Sequence, residues 1–289
     1  MKIKLFLAIL VFNLTIEAQD VNLFRIFENP GNETDYIKML GTILQADVVL
    51  FGELHNNQIS HWFELNLLRD IHKNKKENLI FGAEMFETDD QIKIDEFFAN
   101  QYSENIFEQE CKLWNNYKKD YKPLVSYAKQ NKIKFVATNI PRRYANMVMR
   151  NDFTALDKLS KEIKKLMAPL PIKYNPNLSC YKSIVEQTPQ MGHDADPQKI
   201  AKSQALKDAT MAYFIFTNWK KGKVFFHVNG SYHSDNYCGI YTFLKIYKSD
   251  IKIVTITTVE QQDLSSPLPE NAQLADFIIV VNSEFYKSY

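Results

Sequence analysis

The sequence predicts an α/β fold with a mainly parallel sheet, flanked by helices, and a helical insertion subdomain between the third and fourth predicted strands. Six short apolar runs have the character of buried strands, and segments with helical spacing separate them. The chain has 289 residues, 45% of them hydrophobic, which is enough for a substantial core. We therefore expect a single α/β domain over residues 19–289.

The predicted strands follow one another along the chain and are separated by crossover segments. They are Val48–Phe51, Leu79–Phe81, Phe135–Ala137, Val224–Val228, Ile251–Thr257 and Phe277–Val281. Ser60–His72 has apolar residues at helical spacing and predicts the first crossover helix. Glu104–Lys132 predicts a long, aromatic helical connection.

The connection between Asn139 and Val224 is far longer than a crossover needs, at about 85 residues. Arg142–Met167 and Gln198–Trp219 have helical character, and the segment between them is rich in proline, which stops regular structure. We predict a helical insertion over about residues 140–223, placed as a lid above the carboxyl edge of the sheet.

The N-terminus has the pattern of an export signal over residues 1–18. Lys2 and Lys4 supply positive charge, an apolar stretch follows, and Ala18 ends an acceptable cleavage site. A buried N-terminal helix is the alternative. The stretch is too short for a good membrane span, and no other segment is apolar enough to be one. We expect an exported protein, periplasmic or associated with the outer membrane, without a membrane span after cleavage.

Cysteine content and charge narrow the class further. Cys111, Cys180 and Cys238 are odd in number and widely spaced, and no CxxC motif occurs. This pattern indicates unpaired cysteines, with one disulfide and a free thiol as the alternative. No cysteine follows the apolar stretch, so a lipid-attachment signal is not expected. The net charge of +1 argues against nucleic acid as a partner.

Four of the predicted strands end in side chains that bind metals or transfer protons. Glu53 and His55 follow the first strand, Glu84 the second, Asn139 the third, and His233 the fourth. The carboxyl ends of parallel strands share one edge, where ligands bind. Glutamate and imidazole suit zinc or another divalent transition metal. The alternatives are a helix-capping carboxylate and a surface histidine for the first pair, and a salt bridge to Arg142 for Glu84.

Other polar residues receive different interpretations. His227 lies inside a strand and is expected to be a hydrogen-bonded core residue, and His61 and His72 are set aside because they fall in a predicted helix. Arg142 or Arg143 is placed to bind a carboxylate at a helix start. The sequence has no GxSxG elbow, phosphate-binding loop or dinucleotide fingerprint, which argues against those enzyme classes.

The order of these motifs resembles the ChaN family of haem-binding uptake proteins, in a superfamily with Tiki-type proteases and, more distantly, erythromycin esterases. The motifs are GExH, Glu-Met-Phe, Asn-x-Pro-Arg, a helix over residues 204–211 and NGSYH, and the resemblance covers about residues 47–289. It implies an exported bacterial protein of haem and iron uptake whose partners are haem, a second copy of the chain and an outer-membrane haem receptor.

The resemblance implies that a tyrosine holds the haem iron and that a histidine is contributed across a dimer. Four tyrosines remain open as the ligand, and they are Tyr121, Tyr144, Tyr174 and Tyr181. His193, in the proline-rich tip, is the candidate histidine, and Arg142 would favour the ionised phenol.

Two functions follow from the sequence. The first is an exported haem-binding protein of bacterial iron uptake. The second is a metal-dependent hydrolase that uses Glu53, His55, Glu84 and His233 around a divalent ion, as the Tiki-type relatives imply. Whether the protein is an enzyme at all is open at this point.

Overall fold

The computed structural model describes residues 22–188, 196–285 and 287, and it has an eight-stranded mixed sheet at its centre. The strand order is β2-β1-β8-β7-β3-β6-β4-β5. The strands are β1 (Phe24–Glu28), β2 (Asn32–Thr34), β3 (Val48–Glu53), β4 (Leu79–Glu87), β5 (Lys134–Asn139), β6 (Val224–Gly230), β7 (Ile253–Gln261) and β8 (Phe277–Asn282).

Ten α-helices are present among the described residues. They are α1 (Tyr36–Ile43), α2 (Gln58–Lys75), α3 (Gln91–Phe98), α4 (Glu104–Glu110), α5 (Lys122–Gln130), α6 (Arg142–Asn151), α7 (Lys161–Lys164), α8 (Ser179–Gln187), α9 (Pro197–Asn218) and α10 (Ile240–Tyr247). The two largest clusters of buried apolar side chains include residues from alternate positions of the same strands, such as Val49 and Phe51 in one and Val48 and Leu50 in the other. The sheet is therefore buried on both faces, as parallel sheets are.

The predicted fold class is confirmed. All six predicted strands are present as β3 to β8, and every pairing among them is parallel. The sequence missed β1 and β2, which add an antiparallel edge through pairing of β1 with β8. Strand β7 also begins and ends later than predicted, at Ile253 and Gln261.

The segment between β5 and β6 contains four helices, α6 to α9. Helices α6 and α9 pack on each other. Tyr144 and Val148 of α6, Leu206 of α9 and the preceding Ile140 belong to a small apolar cluster of their own. Helix α9 also contributes Ala205, Ala209 and Ala212 to the large cluster on one sheet face. The segment is therefore joined to the sheet by packing as well as by its two ends.

Cys180 and Cys238 form a disulfide, and Cys111 is a buried free thiol. The expectation of unpaired cysteines is therefore wrong for two of the three, and the alternative of one disulfide and a free thiol holds. The spacing gave no sign of this pair because the two cysteines are 58 residues apart and meet only in the fold. No helix within the described part of the chain combines the length and apolar character that crossing a membrane requires.

Candidate functional site

The predicted strand-end residues surround one cavity at the carboxyl edge of the sheet. Glu53 ends β3 and pairs in register with Gly230, the last residue of β6. His233 lies on the 3₁₀ turn that follows β6. Glu84 lies within β4, which continues to Glu87. The pairing of β4 with β5 shifts in register between Ala83 and Glu87, where Glu84 lies. The cavity has a volume of about 640 Å³, and Glu53, His55, Glu84, Asn139 and His233 all line it.

Glycine permits the close approach of His55 to strand β6. A Cβ atom on Gly230 would lie 2.8 Å from His55 Nε2, and the ring could not keep its place. A Cβ atom on Gly52 would similarly lie 2.9 Å from the backbone of Ser231, where the chain leaves β6. The two glycines therefore bring the ends of β3 and β6 together with an imidazole between them.

Glu53 is buried and accepts two hydrogen bonds on one oxygen. The Tyr121 hydroxyl donates to Glu53 Oε1 at 2.6 Å, and His55 Nδ1 lies 2.5 Å from the same oxygen. Burial and then the charge of Glu64 raise the pKa of Glu53 to about 8. The carboxyl group is thus predominantly neutral at pH 7, with its second oxygen turned away from His55.

His55 is the exposed imidazole of the site. Its side chain is 37% exposed and stands edge-on to the Trp114 ring, with the centroids 4.9 Å apart. Burial lowers the pKa of His55, but the hydrogen bond to Glu53 together with the charges of Glu53 and Glu84 outweighs burial and raises it. When Nδ1 donates to Glu53 in the neutral ring, Nε2 is the nitrogen that can bind a ligand, which is the usual arrangement of a ligating histidine.

Glu84, His233 and Asp208 form a second hydrogen-bonded group. His233 Nε2 lies 3.2 Å from Glu84 Oε1, and His233 Nδ1 lies 2.5 Å from Asp208 Oδ1. The backbone N–H of Gly230 donates to Glu84 at 2.9 Å, and the Tyr181 hydroxyl donates to Asp208 at 2.8 Å. The chain of contacts runs from the cavity to the disulfide-bonded helix α8.

The charges in this second group support one another. Burial lowers the pKa of His233, but the charges of Glu84 and Asp208 outweigh it and raise the pKa to about 10. Burial raises the pKa of Glu84, but the charge and hydrogen bond of His233, together with the charges of Lys207 and His55, outweigh it and hold the pKa well below its ordinary range. His233 is therefore an imidazolium at neutral pH, and both of its nitrogens already have carboxylate partners.

Helix α2 brings two further ionisable residues to Glu53. His61 Nδ1 lies 3.6 Å from Glu53 Oε2 and 3.2 Å from Glu64 Oε2, and both glutamates are buried. Burial raises the pKa of Glu64 to about 7. We set His61 aside in the sequence, yet it is only 7% exposed and contacts carboxylates. His227 is a core residue as predicted, held between Thr138 and Asn229.

Two helices of the insertion form one wall of the cavity. Helix α6 presents Arg142, Ala145, Asn146 and Met149, which recur at helical spacing on one face, and α9 presents Gln204 and Lys207. Trp114, Leu54 and Ile140 add apolar and aromatic surface, and Tyr232 adds a partly exposed phenol. The cavity therefore combines apolar surface with Arg142 and Lys207, two histidines and the carboxyl groups of Glu53, Glu84 and Glu87.

The tyrosines predicted to hold haem lie elsewhere. Tyr121 and Tyr181 are buried and donate to Glu53 and Asp208, and neither lines the cavity. Tyr144 is buried beneath the Arg143 guanidinium, and the Tyr174 hydroxyl is buried within the insertion. His193 falls outside the described residues, and of the predicted haem contacts only Arg142 lines the cavity.

Sequence reasoning missed Asp208, His61 and Glu64. Asp208 lies in α9 between Leu206 and Ala209, and all three side chains are buried. His61 and Glu64 lie among the buried residues of α2 with Phe63. An ionisable residue on the apolar face of a helix was the available signal, because such a group stays buried only with a partner. Tyr232 was also missed as a cavity residue, although the NGSYH motif contains it.

Comparisons with known proteins agree with this architecture. The structure is similar to ChaN of Campylobacter jejuni, reported with cofacial haem binding, with a TM-score of 0.68 and 19% identity over 89% of this chain and 96% of that one. Weaker similarity extends to the type III effector HopBA1, with a TM-score of 0.46 and 10% identity over 86% of this chain and 92% of that one. A third similar structure is RRSP, a MARTX toxin effector domain from Vibrio vulnificus, with a TM-score of 0.46 and 16% identity over 78% of this chain and 36% of that one.

Among curated protein sequences, none matches the chain significantly. The family comparison is decisive, because residues 39–244, well over half of the chain, match the family described as haem-binding uptake, Tiki superfamily, ChaN. This range includes every strand-end residue discussed above. The chain therefore belongs to the ChaN family of haem-binding uptake proteins.

Proposed function

We propose that the protein binds haem in the cavity at the carboxyl edge of the sheet and serves haem and iron uptake outside the cytoplasm. Family membership supports haem as the ligand. The observation that carries the proposal is the lining of the cavity, where apolar surface meets two cations within about 640 Å³. Ligand sites of about 300–1,000 Å³ accept a small molecule of this class.

The lining fits the chemistry of a porphyrin with two carboxylates. Trp114, Ile140 and Met149 would contact the apolar ring, and Arg142 and Lys207 would pair with the propionates. Bound haem would supply a ferric iron, which takes phenolate or imidazole ligands. His55 and Tyr232 are the cavity side chains that can supply these ligands, and the Tyr232 hydroxyl would first have to leave the Cys180 carbonyl oxygen to which it donates. Tyr121 and Tyr181 would first have to leave Glu53 and Asp208.

A haemin titration followed by absorption spectroscopy tests the proposal. The wild-type protein should bind haemin saturably, and Arg142→Gln should weaken binding about 10-fold, as the loss of one charged pair predicts. Arg143→Gln is the matched control, because Arg143 pairs with Asp89 at 2.6 Å and does not line the cavity. Absence of saturable binding by the wild type would refute the proposal.

The same titration identifies the iron ligand. His55→Ala or Tyr232→Phe should change the ferric spectrum, whereas Tyr121→Phe and Tyr181→Phe should leave it as in the wild type. Tyr144→Phe, Tyr174→Phe and His193→Ala complete the series of residues that the resemblance implies. If the spectrum changed only in a variant of Tyr121, Tyr144, Tyr174, Tyr181 or His193, the iron ligand would lie outside the cavity lining.

Export is part of the proposal. The disulfide between Cys180 and Cys238 supports an oxidising compartment, because such bonds are rare in the cytosol. The predicted signal over residues 1–18 lies outside the described residues. Cell fractionation should recover protein that begins near Gln19 outside the cytoplasm, and recovery of chains beginning at Met1 in the cytosol would contradict this. A dimer and an outer-membrane receptor stay predictions.

A second candidate function is hydrolysis in the same cavity. It is favoured by the Glu84–His233–Asp208 group, which holds an imidazolium beside the cavity, and by His55 opposite it. His55 Nε2 would act as a general base, and the His233 imidazolium would stabilise developing negative charge. Assays with ester and peptide substrates, with and without a chelator, should show activity that His55→Ala abolishes. Full activity in that variant would exclude this mechanism.

A further inference from the structure

Glu53, His61 and Glu64 form a compact buried cluster on the side of Glu53 that faces helix α2. Their exposed fractions are 1%, 7% and 0%. One ligand atom from each lies within 4.8 Å of the others. Glu53 Oε2 and Glu64 Oε1 are buried and have no hydrogen-bond partner. These two carboxylate oxygens are more than nine-tenths buried and are the feature that a bound cation would explain.

The hydrogen bonds around the cluster fix which atoms point inward. His61 Nε2 lies 3.1 Å from the His55 carbonyl oxygen, so this nitrogen carries the proton and donates it. His61 Nδ1 faces the two carboxyl groups, at 3.6 Å from Glu53 and 3.2 Å from Glu64, and in the neutral ring it would present its lone pair to them. A ligating histidine commonly donates its other N–H to a carbonyl in this way.

Three groups that can bind a cation therefore face one another in a buried place. Glu53 Oε1 is already occupied by Tyr121 and His55, which leaves Oε2 for the cluster. A positive charge between the three groups would satisfy all of them. Either protons or a metal ion can supply it, and buried charges that are not paired cost several kcal/mol.

We propose that Glu53, His61 and Glu64 bind one divalent transition-metal ion, such as Zn²⁺, at a site separate from the haem cavity. One imidazole nitrogen and two carboxylates are ligands that such ions accept. Two carboxylates also balance a charge of two, which favours a divalent ion over a monovalent one in a buried place. A small cavity of about 290 Å³ is lined in part by Gln58, His61 and Asp120, so one of the three ligand residues also borders a cavity.

This site differs from the metal site predicted from the strand ends. That prediction used Glu53, His55, Glu84 and His233, and in this structure both nitrogens of His233 are hydrogen-bonded to carboxylates. Only Glu53 is common to the two sets. Through its two oxygens it would connect the buried ion with His55, so that metal binding orients the imidazole at the cavity.

Metal content and zinc binding test the proposal on the haem-free protein. After treatment with a chelator, the protein should bind one Zn²⁺ per chain in competition with a chromophoric chelator. His61→Gln and Glu64→Gln should each weaken binding at least about 10-fold, since each removes a ligand. His72→Gln is the control, because His72 lies on the same helix but contacts the Tyr127 hydroxyl at 3.0 Å. It should bind as the wild type does.

X-ray absorption of the zinc-loaded wild type provides a measurement that does not depend on the folding of a variant. One nitrogen and the rest oxygen in the first coordination shell would support the site. Two or more imidazoles would place the ion elsewhere and overturn the proposal. Absence of stoichiometric zinc in the wild type, or wild-type affinity in both ligand variants, would also overturn it and leave a carboxyl pair that shares protons.

Discussion

Glu53 and Glu84 lie on either side of strand β6, yet their surroundings make one carboxyl group neutral and the other ionised at pH 7. Both are buried, and each belongs to a strand that pairs directly with β6. The pKa of Glu53 is raised to about 8, whereas the pKa of Glu84 is held well below its ordinary range. The difference lies in the partners, because Glu53 faces a second carboxyl group and Glu84 faces the imidazolium of His233.

This difference shows that partners rather than burial decide the charge of a strand-end carboxyl. On the Glu84 side, the His233 imidazolium lies between the Glu84 and Asp208 carboxylates, and this hydrogen-bonded group borders the cavity through Glu84 and His233. The Glu53 side carries more acceptors than donors and therefore takes up protons or a cation. On one side of the cavity the ionised groups therefore have hydrogen-bond partners. The other side responds to pH or to metal.

The largest expected effect is the loss of Glu84. Glu84→Gln leaves the buried His233 imidazolium with one partner fewer, and breaking a buried pair costs about 3–5 kcal/mol in the free energy of unfolding. Glu53→Gln removes no charge at pH 7 and keeps an acceptor for Tyr121, so we expect less than about 1.5 kcal/mol. Urea unfolding at pH 7 measures both. Equal losses would remove the distinction between the two sides.

The disulfide should matter next, and mainly on the Glu84 side. Cys180 precedes Tyr181, and Cys238 follows the turn that carries His233, so the bond holds that group together. Reduction should lower the free energy of unfolding by about 2–4 kcal/mol. Hydrogen exchange should rise around residues 231–238 more than around residues 53–64. A uniform rise, or none, would contradict this placement.

The two buried tyrosines should separate the sides by a smaller amount. Tyr181→Phe removes a donor from Asp208, which carries charge beside His233, and hydrogen bonds to charged groups contribute about 1.5–3 kcal/mol. Tyr121→Phe removes a donor from the neutral Glu53 carboxyl, for which about 0.5–1.5 kcal/mol is usual. Thermal unfolding at pH 7 compares them, and a larger loss for Tyr121→Phe would contradict the assigned charges.

The smallest effect of a substitution is expected on the pH dependence of stability, which has opposite sign on the two sides. The folded-state pKa of Glu53 is raised from 4.5 to about 8, so its contribution to stability is full below pH 4.5 and is lost as pH rises towards 8. The pKa of Glu84 is lowered, so its contribution is present above its unfolded value and is lost in acid.

Metal-free wild type should therefore lose stability between pH 5 and 8, and Glu64→Gln should reduce that loss by about 1 kcal/mol, since one pKa unit corresponds to about 1.4 kcal/mol. Glu84→Gln should leave the loss of stability between pH 5 and 8 unchanged and should reduce the loss of stability in acid instead. Denaturant unfolding at a series of pH values checks both. An unchanged slope in Glu64→Gln would show that Glu53 and Glu64 do not share protons.

The parallel sheet was predictable because its strands are continuous apolar runs that end in glycine or polar residues. The edge strands were not, because β1 and β2 are short and their residues are mostly exposed or half-buried. Glu53, His55, Glu84 and His233 were found because chain topology alone brings parallel strand ends to one edge.

The partners of these residues were not predictable in the same way. Asp208 and His61 lie on helices, and the rotation of each helix about its axis decides what these side chains contact. Sequence spacing does not determine that rotation closely enough to predict individual contacts. The Cys180–Cys238 pair likewise depends on how α8 packs beside the turn after β6. The positions of the tyrosine side chains could not be predicted for the same reason. The sequence does not distinguish an aromatic residue that faces a cavity from one that faces the core.

The central claim is that haem binds in the cavity at the carboxyl edge of the sheet. Its most direct test is to locate the iron by anomalous X-ray scattering from crystals grown with haemin. We expect an iron peak inside the cavity bounded by His55, Arg142 and Tyr232, within about 2.5 Å of an imidazole nitrogen or a phenolate oxygen. An iron peak outside that cavity, at a surface that none of these residues reaches, would contradict the claim.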